Sequence, residues 1–208
     1  MGNNIEFWEE RHRNSGNKFN RVTGFAKFCY YRFMKDKSGK LVDLGCGKGA
    51  DSIYFNYMGL KVTAIDYSQE AMKMFNEMQQ QNNVFIANLT KDITEPLPFE
   101  ENSQDFVYSR LSLHYFDDVT TKKMFTEINR ILKSEGILCF QAKSTSDKKY
   151  GQGKEIEKDM FEDEEGYVRH FFSEEYAKEL LSEFEIIYIE NRVMEDGNAY
   201  LDAVAKKR

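Results

Sequence analysis

The spacing of apolar and polar positions changes near residue 40. Before it, Phe19, Val22, Phe25, Ala26, Cys29, Tyr30 and Phe33 recur at the 3.6-residue period of one helix face, which predicts helical structure over 1–40 packed on a larger body. After it, short apolar runs alternate with amphipathic stretches, the pattern of strands and helices in parallel-type connection. Strands are expected at 40–44, 61–66, 84–89, 106–109 and 137–142. A helix is expected from about residue 51, with Gly59 after Met58 as its stop signal. A second starts at Ser68 as N-cap and carries Ala71, Met72, Phe75 and Met78 on its apolar face. A third, around 120–132, aligns Met124, Phe125, Ile128, Ile131 and Leu132, and Ser134-Glu135-Gly136 turns the chain into the last of the five strands. The only two prolines, Pro96 and Pro98, exclude helix over 95–99.

Two stretches depart from this repetition. Residues 144–165 are polar, charged and broken at Gly151, Gly153 and Gly166, and read as a lid-like insertion that extends to about residue 172. After a helix at 174–184, strand signals at 185–190 and 199–205 flank Glu195-Asp196-Gly197-Asn198, where Asp-Gly marks a hairpin. The expected architecture is a single α/β domain: a helical cap (1–39), a ligand-binding core (40–143), the insertion (144–172), and a final helix and hairpin (173–208).

Composition narrows the setting. With 208 residues and 41% hydrophobic content, the chain suits one domain, and 17 Phe with 12 Tyr make its core aromatic. A net charge of -6 argues against a general nucleic-acid surface, which needs clustered Lys and Arg. Cys29, Cys46 and Cys139 lack the spacing of a metal site or disulfide scaffold and read as buried reduced thiols. No apolar run approaches the roughly 18 residues of a membrane span, and MGNNIEFWEERHR has no secretory-signal pattern. A soluble cytoplasmic protein is therefore expected.

The chemistry starts at residues 41–49, LVDLGCGKG: an apolar strand runs into glycines at 45, 47 and 49, and Asp51, Ser52 and Ile53 open a helix. A strand, a glycine loop and a helix start meet here, as where open parallel sheets grip nucleotide-like cofactors. Gly45, Gly47 and Ala50 formally satisfy the dinucleotide GxGxxG/A spacing, a weak signal alone. Asp66, ending the second strand, is placed to accept from ribose hydroxyls, which suits a nicotinamide nucleotide and an adenosyl group equally. Lys48 lacks the GKS or GKT context of a phosphate loop and reads as solvated.

With further matches in order, the chain resembles the class I S-adenosylmethionine-dependent methyltransferases over residues 38–143 and the terminal strands. Asp43, Gly45, Gly47 and Gly49 match that family's first motif and Asp66 its ribose acid. Asp92, Leu97-Pro98-Phe99 and Asp105-Phe106-Val107 match its next signature, and residues 109–115, SRLSLHY, its turn beside the methionine moiety. The likeness is strongest to the small-molecule branch, with a fainter one to tellurite-resistance-type methyltransferases. It implies a Rossmann-like three-layer sandwich with a mostly parallel seven-stranded sheet ending in an antiparallel hairpin. It also implies S-adenosylmethionine as cofactor, with S-adenosylhomocysteine as product, held by Asp43, Gly45, Cys46, Gly47, Gly49, Asp66, Tyr67, Asp92, Ile93, Arg110 and Leu111. Asp92 and the Ile93 backbone would face the adenine.

Single residues carry paired readings. Asp43 either orders the glycine loop or touches the ligand, and Asn88 competes with Asp92. His114 is a general base or a packing residue, and Trp8 a core residue or a cover over the sulfonium. Tyr115, Tyr150, Arg169 and His170 complete the expected acceptor pocket, while His12 is read as solvent-exposed. The run 162–165 reads as a solvated acidic face. Asp117-Asp118 lacks the further ligands of a metal site, so no metal is expected. The expected reaction is in-line methyl transfer to a small-molecule acceptor, without nucleic acid, since no Asn or Asp precedes Pro-Pro, and without membrane, by a monomer or homodimer. An NAD-dependent oxidoreductase and a non-catalytic adenosylmethionine-binding protein are the rival readings.

Overall fold

The computed structural model describes residues 5–16 and 21–208; Phe19, expected on the first apolar face, lies outside them. The N-terminal region is not one helix. It is α1 (Ile5–Asn14), then α2 (Gly24–Cys29) running into one wide π-type turn at Tyr30–Met34. Thr23 caps α2, its side chain accepting from Ala26 N. The predicted apolar face survives in this second piece: Val22, Phe25, Ala26, Cys29, Tyr30 and Phe33 all pack into one core cluster.

From residue 40 the expected alternation follows: β1 (Lys40–Leu44), α3 (Ala50–Tyr57), β2 (Lys61–Asp66), α4 (Gln69–Asn82), β3 (Ala87–Thr90), β4 (Gln104–Arg110), α5 (Asp118–Ile131) and β5 (Leu132–Lys143). Ser68 caps α4 through Ala71 N, and Asp117 caps α5 through Thr120 N. β3 begins later than its apolar run suggests. Ile86 is buried, but its N–H donates to the Gln79 side chain rather than to a strand, and Phe85 is 91% exposed.

The insertion folds as a small antiparallel sheet of β6 (Lys154–Glu157), β7 (Met160–Glu162) and β8 (Val168–His170). Then come α6 (Glu174–Leu180), β9 (Phe184–Val193) and β10 (Ala199–Lys207). The hairpin turn is where Asp-Gly predicted it, with Gly197 at φ +79°. The main sheet runs β3-β2-β1-β4-β5-β10-β9. β1 to β5 are parallel, and β10 pairs antiparallel with both β5 and β9, so it alone runs against the others. An all-parallel dinucleotide fold of order 3-2-1-4-5-6 has no such reversed strand.

Period-2 alternation sends the strand side chains to two cores. Leu41, Val62, Ala64, Phe106, Tyr108 and Cys139 pack with α2, α3 and α4 on one face. Val42, Leu44, Ile65, Val107, Leu138 and Phe140 pack with α5 and α6 on the other. This three-layer arrangement leaves the carboxyl ends of β1 to β4 as the floor of a cleft.

Candidate functional site

The cleft has a volume of about 980 Å³ and draws its walls from the ends of β1, β2, β3 and β4, from α1, and from residues 115–120. Its centre is the glycine loop. Gly45, Gly47 and Gly49 take φ of +73°, +53° and +77°, in the left-handed region that glycine enters at no steric cost. Their surroundings differ. A Cβ on Gly45 would lie 2.3 Å from Ser112 Cβ, and one on Gly49 2.1 Å from the Phe75 ring, so these two are glycine because protein packs against them. At Gly47 the only atom of the described residues within 4 Å would be His12 Cε1, at 3.6 Å. Of the three, Gly47 has the uncrowded Cβ position, and it lines the cleft.

Asp66 ties this loop to β2. Its Oδ2 accepts from Gly47 N at 2.8 Å and its Oδ1 from Ser68 N at 3.0 Å. Burial raises its pKa against those two N–H donors. Asp43 lies beneath the loop, 2% exposed, and Ser52 Oγ donates to it at 2.5 Å. Burial pushes its pKa up to about 8, Ser52 opposes the shift, and the Asp51 and Asp66 charges add to it. Asp43 thus joins β1 to α3, and it also lines the cleft, so both of its expected readings have a geometric basis. On the β3 side, Asp92 Oδ1 accepts from Thr94 N at 2.9 Å and from Thr94 Oγ1 at 2.8 Å. Asn88 instead bonds Asn76 and the Ile86 carbonyl, and leaves Asp92 without competition.

At the end of β4 the chain turns sharply. Leu111 has φ +55°, a conformation that costs a non-glycine residue roughly 1–3 kcal/mol. It is held by Leu111 N donating to Gln141 O at 2.8 Å and by Ser112 Oγ donating to Leu44 O at 2.7 Å. The strain places Arg110, Leu111 and Ser112 together on the wall.

Helix α1 covers the cleft. Trp8 stands edge-on to Tyr115 with centroids 4.9 Å apart, and Tyr167 of the insertion joins them at 5.5 Å from Tyr115. Glu9 accepts from Gln69 N at 2.7 Å and Glu70 N at 2.9 Å, capping α4 from outside its own sequence. Lys48 donates from Nζ to Gly16 O. A second tie joins the segment after α1 to the floor: Asp51 accepts from Thr23 N, Thr23 Oγ1 and Tyr108 OH, each at 2.8 Å.

Of the expected site residues, Trp8, Asp43, Gly45, Cys46, Gly47, Asp66, Tyr67, Asp92, Ile93, Arg110, Leu111 and Tyr115 line this one cleft. Five do not. Gly49 is enclosed against Phe75. His114 is 1% exposed in the core, its pKa well below normal through burial and then through Arg169, Lys143, His170 and Arg110, so no geometry supports a general-base role. Tyr150 donates to Asp159 at 2.6 Å within the insertion. Arg169 lies over the Tyr167 ring at 4.7 Å, and His170 is buried against Tyr176. β8 thus sets Arg169 on Tyr167 of the insertion and His170 on Tyr176 of α6, and neither lines the cleft.

Two residues expected in solvent are buried instead. His12 is 9% exposed, over Gly47, with burial and then the Lys48 charge lowering its pKa to about 4. Lys48 is 3% exposed. The i, i+4 spacing of Trp8 and His12 is the signal that could have placed both on the cleft side of α1. The Thr23–Asp51–Tyr108 set has no local signal, because its members are 28 and 57 residues apart. Among the described residues, no cluster of His, Cys, Asp or Glu is arranged to hold a metal, and no helix is long and apolar enough to cross a membrane.

Residues 42–140 match the methyltransferase-domain family. The putative methyltransferase YqeM of Bacillus subtilis is 34% identical over 112 residues, 52% of this chain and 44% of that relative. The uncharacterized methyltransferase YcgJ of the same organism is 27% identical over 97 residues, 47% of this chain and 38% of its own length. The chain thus spans less than half the length of these curated relatives. In three dimensions it is similar to the 1,6-didemethyltoxoflavin-N1-methyltransferase of Burkholderia thailandensis, crystallised with 1,6-didemethyltoxoflavin and S-adenosylhomocysteine. The TM-score is 0.78 at 17% identity, over 98% of this chain and 86% of that one, a likeness of fold.

Proposed function

We propose that this chain, which belongs through residues 42–140 to the class I S-adenosylmethionine-dependent methyltransferases, moves a methyl group from that donor to a small-molecule acceptor. One observation carries the reading: the glycine loop, Asp66, and Asp92 with Ile93, far apart in sequence, converge on one cleft at the carboxyl ends of adjacent strands.

The cleft fits the donor. Each oxygen of Asp66 accepts one backbone N–H and keeps a lone pair for a ribose hydroxyl. Asp92 has Oδ2 free of the Thr94 contacts, and Ile93 and Tyr67 supply apolar surface for a base. Gly47 admits close backbone approach. A volume of about 980 Å³ lies at the upper end of ligand sites and leaves room for an acceptor beside the donor.

S-adenosylmethionine supplies, when bound, a methyl group already activated on a sulfonium. The task left to the protein is to align the acceptor and exclude water. The aromatic set of Trp8, Tyr115 and Tyr167 supports the second role, and the fixed turn at Leu111 the first. No base is assigned, because His114 is off the wall.

Calorimetry with S-adenosylhomocysteine, followed by transfer of labelled methyl from S-adenosylmethionine to a panel of small amines, phenols and thiols, tests the reading. Micromolar binding with transfer is the expected result. A protein that binds neither form of the cofactor refutes it.

A further inference from the structure

Along the cleft, the strand order puts Asp92 at the β3 end, Asp66 and the glycine loop in the middle, and Arg110 at the β4 end. The charges in this cleft are mostly committed. Asp43, Asp51, Asp66 and Asp92 each accept hydrogen bonds from the protein. Lys91 pairs with Glu95 at 2.8 Å, and Lys48 donates to Gly16 O. Arg11 and Arg21 are exposed at the cleft edge, and Arg11 lies over the Trp8 ring at 5.6 Å.

Arg110 differs from all of these. It is half-buried on the wall, and its Nε is buried with no hydrogen-bond partner. Among the described residues no carboxylate pairs with its guanidinium. A buried charged donor left unsatisfied is costly, and such a group in a cleft is matched by an oxyanion from the ligand.

We propose that Arg110 anchors a carboxylate or phosphate group carried by the methyl acceptor, so that this enzyme selects anionic acceptors. The cofactor's own carboxylate has a separate candidate in Arg21, two residues from the Thr23 that is tied to the first turn of α3. The proposal rests on the methyltransferase reading above, and the experiment separates the two.

The full chain is first saturated with S-adenosylhomocysteine, then titrated with benzoate, phenyl phosphate and the neutral benzamide, by calorimetry or protein NMR. The expected result is that at least one anion binds roughly tenfold or more tightly than benzamide; the better of the two identifies the oxyanion. Arg110→Met, which keeps the aliphatic stem, should remove that preference while the melting temperature holds, and its S-adenosylhomocysteine affinity decides between this role and the cofactor role that the family resemblance implies. Arg110→Lys should retain the preference in weakened form, since a lysine cannot make the two-pronged contact. Equal binding of benzamide, or no binding of either anion, overturns the proposal. So does a tenfold loss of S-adenosylhomocysteine affinity in Arg110→Met, which would assign the guanidinium to the cofactor. A wild-type chain that fails to bind S-adenosylhomocysteine sinks the methyltransferase reading instead.

Discussion

The Asp66 carboxylate at the end of β2 accepts a 2.8 Å hydrogen bond from the backbone N–H of Gly47. The acid expected to take ribose hydroxyls therefore also holds the glycine loop in shape. Both functions should fail together in Asp66→Ala. S-adenosylhomocysteine affinity is expected to fall roughly ten- to hundredfold, the usual effect of deleting a charged acceptor. Asp66→Asn keeps one carbonyl acceptor and should fall between the two. Calorimetry on the three proteins decides the matter, and unchanged affinity in the alanine variant would remove Asp66 from the cofactor site.

The three loop glycines should separate in a substitution series. Gly49→Ala forces a methyl into the Phe75 ring at 2.1 Å and holds it at φ +77°, so it should destabilise by about 3 kcal/mol or more. Gly47→Ala meets only His12, at 3.6 Å, among the described residues, and its φ of +53° should cost about 1 kcal/mol. Its methyl stands where the ligand approaches, however. The expected outcome is a small shift in melting temperature with a large loss of S-adenosylhomocysteine affinity at 47, and the reverse order of thermal damage at 49. Equal thermal shifts at both positions would count against this division of roles.

That division marks where sequence reading stops. Period-2 runs such as Lys61–Asp66 and caps such as Ser68 are local signals, and the structure places them where the pattern does. The Asp-Gly hairpin is equally local, and with it came the reversed strand β10. What a glycine faces is decided by Phe75 or Ser112, distant residues that no spacing rule connects to it. The same holds for α1. Its charged sequence reads as solvated, yet Glu9 is spent on the α4 amides and His12 is pressed over Gly47. The insertion misled for another reason. Polar composition predicted a lid-like insertion with Arg169 and His170 in the acceptor pocket, whereas the short strands β7 and β8 set them against Tyr167, Phe172 and Tyr176.

Asp43 should make stability depend on pH in an identifiable window. Its folded-state pKa, about 8, lies above the unfolded carboxylate value near 3.9. The folded state therefore favours the protonated form, and stability present below pH of about 4 is lost as pH rises toward about 8. Asp43→Asn is neutral throughout and keeps a group that can meet Ser52. Its melting temperature, relative to wild type, should improve steadily from pH 5 to pH 8.5. A difference that does not change with pH would mean that Asp43 is ionised in the fold at both ends of the range.

His12 has the opposite sign, and Trp8, the only tryptophan, reports on it. Burial and Lys48 lower the His12 pKa to about 4, below the unfolded value near 6.5. Neutral His12 thus stabilises the docked α1 fully above pH of about 6.5, and that contribution fades as pH falls toward about 4. Protonation sets a second positive charge beside Lys48 under the helix that carries Trp8. As α1 loosens, Trp8 leaves the Tyr115 edge contact at 4.9 Å and its emission should shift to the red between pH 6.5 and 4. Far-UV circular dichroism over the same range separates this local release from global acid unfolding. In His12→Gln the shift should vanish, because no group titrates there, and S-adenosylhomocysteine should hold the wild-type spectrum unshifted to lower pH by occupying the cleft beneath α1. A red shift of the same midpoint in His12→Gln would assign the transition to another group and leave α1 docked independently of His12.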